Sequence, residues 1–263
     1  MSGQIAGEIS SRQKALYLAR LAEEAERYDE MTEHMTAVAK ASDDDHEELT
    51  PEERNMLAVA FKNAVGLRRA AVRTLGDVEA KARSAGRERE AQATRAYSQS
   101  VQHELRRFSG DFIRLLSDSL LPRTKDMENR AFYLKTKGDH LRYMCQFGAG
   151  DNVNGLAREA VAAYQDATTC AEQGLAVTHP IRLAVALNFS HFQYEVLEDK
   201  DAAYRIAGTA FDAALEELEN IPEEFYKDST LILSLLRDVR PGLWWAPAGE
   251  SDEKPEDVAA DEN

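Results

Sequence analysis

The chain has 263 residues, of which 43% are hydrophobic and 30% charged, and it carries a formal net charge of −15 at pH 7. That length supports one large domain or two small ones with ample core, and the composition is that of an ordinary soluble globule. The acidity argues against non-specific binding to nucleic acid or anionic membranes, which needs a basic field, but it leaves room for a local basic pocket.

Strand signals are nearly absent, and helical periodicity with clear punctuation is nearly continuous. Residues 1–11 read as a flexible leader with no apolar run suited to a signal peptide. Helices are predicted over about 12–27 and 29–40, followed by an acidic loop from Ser42 to Leu49. Thr50-Pro51-Glu52-Glu53 then combines an N-cap hydroxyl, Pro at the first helical position and Glu three residues on. The long helix it starts runs to about Ala82 and breaks at Ser84-Ala85-Gly86. Further helices are predicted over about 87–120, 125–147, 153–173, 179–196, 200–219 and 223–239. Nine helices with short connections favour antiparallel neighbours in one all-α array over 12–245. Residues 246–263 hold seven acids against Lys254 and no aromatic residue, which reads as a disordered acidic tail. Cys145 and Cys170 are the only cysteines, so a reducing, cytoplasmic setting is expected rather than a disulfide framework.

Several chemistries find no support. His46-Glu47-Glu48-Leu49-Thr50 and His103-Glu104-Leu105-Arg106-Arg107 each lack the second His of a zinc pair, and Asp43-Asp44-Asp45 lacks the alternation of a calcium loop. Gly148-Ala149-Gly150 follows a helix rather than a strand, and no Ser or Cys sits in a nucleophile motif. No enzyme activity, cofactor or metal is expected.

Concentrated positive charge is the feature that asks for a function. Lys62 and Arg69 lie seven apart on one predicted helix, Lys135 and Arg142 seven apart on another. Seven residues is about two turns, so each pair shares a face. Packed side by side, two such helices can aim several cations at one point; a solvated face is the plain alternative. Asp139 falls on the stripe of Lys135 and Arg142, either as a partner that orients them or as an ordinary surface ion pair. The helix over 179–196 is apolar round most of its circumference except for Asn188, His191 and Glu195. Buried polar groups must be paired, so that stripe should line a groove or meet a partner.

Four motifs in order resemble the 14-3-3 family: RNMLAVAFKN from Arg54, FYLKTKGDHLRY from Phe132, THPIRL through ALNFS from Thr178, and YKDSTLI through LLRD from Tyr226. The resemblance runs from about Leu18 to Trp244. It implies a cup-shaped protomer of nine helices, a homo- or heterodimer with another 14-3-3 subunit, and binding of phosphoserine or phosphothreonine segments of client proteins. It assigns phosphate holding to Lys62, Arg69, Arg142 and Tyr143, with Lys135 close by. Asn188 and Glu195 become groove polar groups, Asn188 on the ligand backbone. Val59, Leu187, Leu231, Leu235 and Leu243 become the apolar wall. Leu21, Ala25 and Arg27 fall on the dimer face, opposite Leu75, Tyr97 and Glu104 of the other subunit, with an Arg27–Glu104 bridge as a rim contact. Within this chain alone, Leu18, Leu21, Ala22 and Ala25 can equally pack on their own core.

Four departures stand out. Val239 replaces an asparagine that bonds the ligand backbone in the family, a loss of about 0.5–1.5 kcal/mol. Arg240-Pro241-Gly242 interrupts the last helix, and Pro241 should end it early. His191 replaces an apolar groove residue and can make binding pH-dependent. Ala71 and Ser100 alter the dimer face. The leading expectation is an adaptor that regulates clients, with no nucleic acid, membrane or metal partner. The alternatives are a divergent 14-3-3-like scaffold for acidic or unphosphorylated ligands and a helical-repeat scaffold for carboxylate tails. The acidic tail either solubilises the protein or folds back on the basic groove.

Overall fold

The computed structural model describes residues 10–45, 48–148 and 151–239. Every regular element in them is helical: α1 Ser11–Glu24, α2 Tyr28–Asp45, α3 Pro51–Ser84, α4 Glu88–Arg114, α5 Met127–Cys145, α6 Asp151–Gly174, α7 Pro180–Glu195, α8 Lys200–Glu216 and α9 Glu223–Asp238. A π-helical turn, Leu115–Leu120, continues α4, and a 3₁₀ turn, Leu218–Asn220, precedes α9. The contacts divide this array into two compact units, Met1–Arg123 and Thr124–Asn263, where the sequence reading takes 12–245 as one. The acidic tail, Arg240 to Gly242, and Leu243 lie outside the described residues.

In the first unit, α3 pairs along α4, and α2 bridges α1 and α3. The start of α3 is fixed as its sequence dictates: Thr50 Oγ1 accepts from the Glu53 amide, and the Glu53 carboxylate accepts in return from the Thr50 amide. The break after α3 falls on Gly86, whose φ of +71° only glycine adopts without strain. The core is built on Met31, Met35, Leu57, Phe61, Leu105 and Phe112, with the Phe61 and Phe112 rings stacked at 4.2 Å. Arg68 ties α2, α3 and α4 together. Its guanidinium reaches both Asp29 oxygens at 2.8 Å and Glu104 at 3.0 Å, and lies 4.1 Å from the centre of the Phe108 ring.

Several helix ends differ from the predicted ones. The second helix continues to Asp45 through residues assigned to the acidic loop. The first helix starts at Ser11, with Ser10 as its cap, in a stretch read as leader.

In the second unit, α5 packs along α6, and α7 touches α5, α6, α8 and α9. The last two helices close over α7 through Leu183, Leu187, Ala207, Ala214, Ile232, Leu236 and Val239. Ser229 donates to the Thr178 carbonyl at 2.7 Å, which pins α9 to the turn before α7. The close fit of α5 on α6 rests on small residues. Ala157, Ala160, Ala163, Ala167 and Ala171 recur at helical spacing along the buried face of α6. One large side chain interrupts them: Tyr164, fully buried, with its ring against Gly138 of α5 and stacked on Phe189 of α7.

Candidate functional site

The predicted cations are distributed over both units. In the first, Lys62 and Arg69 lie two turns apart on α3, both half-buried, with half-buried Val59 one turn before Lys62.

In the second unit, α5 is buried on nearly every side, ionisable residues included. Lys135, Asp139 and Arg142 are 7%, 5% and 3% exposed, so each charge must be met by a partner. Asp139 meets Lys135, whose Nζ lies 2.9 Å from its Oδ2. The i,i+4 spacing predicted that pair; its burial makes it structural rather than a surface ion pair. The same carboxylate accepts from the Tyr164 hydroxyl at 2.7 Å and from Asn188 Nδ2, which lies 3.0 Å from both oxygens. Burial first, and then the charge of Asp139, hold the Tyr164 phenol well above its ordinary range, so it stays a donor.

Arg142 reaches across to α7, where its Nη1 donates to Glu195 Oε2 at 2.9 Å. Gln146 donates to the same oxygen at 3.3 Å. The guanidinium also lies 5.1 Å from the centre of the Tyr143 ring, which meets His140 edge to face. The polar stripe of α7 therefore does meet partners, Asn188 through Asp139 and Glu195 through Arg142.

The two amide ends of Asn188 differ. Its Nδ2 is committed to Asp139, whereas Oδ1 is buried and has no hydrogen-bond partner among the described residues. An orphaned buried acceptor costs about 1–3 kcal/mol, so it asks for a donor.

Of the residues assigned to the apolar wall, Leu231 is 51% exposed and Leu235 half-buried, while Leu187 is packed in the core at 1%. Val239, where the resemblance leads to an expected asparagine, is 3% exposed in a core cluster with Ile232, Leu236 and Ala214. Its side chain has become part of the seal between α8 and α9.

The residues assigned to a dimer face all lie in the first unit. Leu21 and Tyr97 are 42% and 64% exposed, Ala25 and Arg27 are exposed, and Leu75 and Glu104 are half-buried. Tyr17 and Val78, which sequence reasoning did not single out, are also exposed. Within the chain, Arg27 pairs with Glu30 and Glu104 with Arg68, so both ends of the expected Arg27–Glu104 bridge already have partners.

Sequence reasoning missed Tyr164 and Gly138. A lone aromatic in an alanine seam, facing a glycine on the preceding helix, is the signal that locates them.

No three His, Cys, Asp or Glu residues among those described are grouped to hold a metal, and no described helix is long and apolar enough to cross a membrane. The model of the family described as 14-3-3 protein matches residues 18–242. The chain is 46% identical to 14-3-3 protein 7 of Solanum lycopersicum, over 92% of this chain and 94% of that one. It is 47% identical to the 14-3-3 family protein artA of Aspergillus flavus, over 85% and 92% of the two chains. To the 14-3-3-like protein GF14 phi of Arabidopsis thaliana it is 45% identical, over 95% and 91%.

Proposed function

The chain belongs to the 14-3-3 family and is an adaptor that binds client proteins, and from that premise we propose that it takes them at phosphoserine or phosphothreonine segments. The phosphate is held by Lys62, Arg69, Arg142 and Tyr143, with Lys135 adding field from its buried pair. A phosphoserine carries about −1.5 to −2 charges and three strong acceptors. Guanidinium forks grip two of those oxygens, and a tyrosine hydroxyl can serve the third. Asn188 and Glu195 serve the peptide's polar side, and Val59, Leu187, Leu231, Leu235 and Leu243 its apolar side. The protein works in the cytoplasm as a homo- or heterodimer through Leu21, Ala25, Arg27, Leu75, Tyr97 and Glu104. Two linked sites on one client raise apparent affinity by about 10²–10⁴.

The observation that supports this most is the state of Arg142. Its side chain is 3% exposed, yet the carboxylate it meets, Glu195, is 31% exposed. A buried cation whose counter-charge sits at the surface is poised to trade that carboxylate for an arriving dianion. Titration of a phosphoserine peptide and its serine twin against wild type and Arg142→Ala tests this. Wild type should prefer the phosphopeptide, and the variant should lose about tenfold or more of that preference, the worth of one charge-assisted hydrogen bond. Equal affinity for the twins would remove the phosphate from the proposal. It would favour acidic or unphosphorylated segments instead.

A further inference from the structure

Resting on the reading that Asn188 meets the client's backbone, we propose that Asp139 and Tyr164 are positioning residues. They lock the Asn188 amide in one orientation, so that the site accepts a backbone N–H and rejects a carbonyl at that point.

The argument starts from what a carboxylate can do. An ionised Asp only accepts, so whichever end of a neighbouring amide faces it must be the NH₂. Asn188 Nδ2 lies 3.0 Å from each Asp139 oxygen, and a flipped amide would set two oxygen lone pairs against that charge. The flipped state is therefore excluded as long as the carboxylate stays in place. Three groups keep it there: Lys135 Nζ at 2.9 Å on Oδ2, the Tyr164 hydroxyl at 2.7 Å on Oδ1, and the Asn188 amide itself. Tyr164 has no freedom to yield. It is fully buried, faces Gly138 where any side chain would collide with its ring, and stacks on Phe189 at 5.3 Å.

The consequence falls on Oδ1, buried and without a partner among the described residues. An amide free to rotate would offer a ligand either a donor or an acceptor. One locked by Asp139 offers only the acceptor, and offers it without paying orientational entropy on binding. The discrimination arises on α5 and α6, one layer behind the residue that makes the contact.

The test uses a phosphoserine peptide and a series in which each backbone amide flanking the phosphoserine is replaced in turn by an ester, removing one N–H at a time. In wild type one position of the series should lose about two- to tenfold in affinity, the worth of one hydrogen bond. Asp139→Asn, which keeps the shape but lets either amide end face α7, should abolish that penalty. Tyr164→Phe, which keeps the ring and removes one of the three restraints, should shrink it. Preference for phosphoserine over serine should persist in both variants. A full ester penalty in both variants, with phosphoserine preference intact, would overturn the positioning role and leave the proposed function standing. Absence of any ester-sensitive position in wild type would overturn it too. Loss of phosphoserine preference in wild type itself would defeat the proposed function, and this inference with it.

Discussion

Replacing Gly138 by alanine sets two effects of opposite sign against each other. In a helix interior alanine is favoured over glycine by about 1 kcal/mol, so a glycine with open space beside it would gain from the change. At Gly138 there is no space: a Cβ would lie 2.9 Å from two carbons of the Tyr164 ring and 3.0 Å from a third. Ordinary carbon contacts need about 3.5–4.0 Å, so the ring or the helix has to retreat by more than half an ångström. The ring cannot swing out, because Tyr164 is fully buried against Phe189 and Phe192. Overpacking of this kind costs about 1–3 kcal/mol. Pulling the hydroxyl away from Asp139 weakens a buried charge-assisted bond of 2.7 Å, adding about 1 kcal/mol. Less the propensity gain, Gly138→Ala should destabilise the protein by about 2 kcal/mol. Urea unfolding followed by circular dichroism reads the difference, with Gly76→Ala on α3, where a Cβ meets nothing within 4 Å, as the control that should gain stability. An unchanged or raised midpoint for Gly138→Ala would show that α5 and α6 are not in the close contact on which the Asp139 cluster depends.

Two further outcomes follow from burial. Val239→Asn, which restores the residue type of the family, should not improve peptide binding; it places an amide in the core between α8 and α9 and should cost about 2–3 kcal/mol in the same unfolding assay. Burial pushes the Cys145 thiol from 9.0 up to about 11, so in the fold it keeps its proton where the unfolded chain has lost it. Stability from this group is therefore present below pH 9 and is lost between about 9 and 11, and alkylation of Cys145 at pH 9 should run about fiftyfold slower in the native protein than in urea. Equal alkylation rates in the two states would contradict the burial.

What could be read in advance divides along a physical line. Helix starts are written in local chemistry: the reciprocal Thr50 and Glu53 bonds, and Pro180 following the His179 cap, lie where the residues demand. The i,i+4 pairing of Lys135 with Asp139 was legible for the same reason. Features set by packing between elements were not. The π-helical turn at Leu115–Leu120 keeps the apolar spacing of the helix before it, so no residue pattern announces the wider winding. The bonds from Asp139 to Tyr164 and Asn188 span 25 and 49 positions and depend on how closely the alanine seam of α6 lets three helices approach. The inward turn of Val239 was hidden because a single apolar residue near a helix end carries no direction of its own.

The Arg68 cluster bears on how copies of this protein would choose one another. Its guanidinium already takes up Asp29 and Glu104, and Arg27 has closed on Glu30. Ions neutralised at home send little signal to a newcomer. Exchange of subunits through the dimer face proposed above should thus respond weakly to ionic strength and strongly to the shape of Leu21 and Tyr97, which are exposed. Such a face discriminates by fit, and related subunits sharing its aromatic relief would mix with it even where their charges differ.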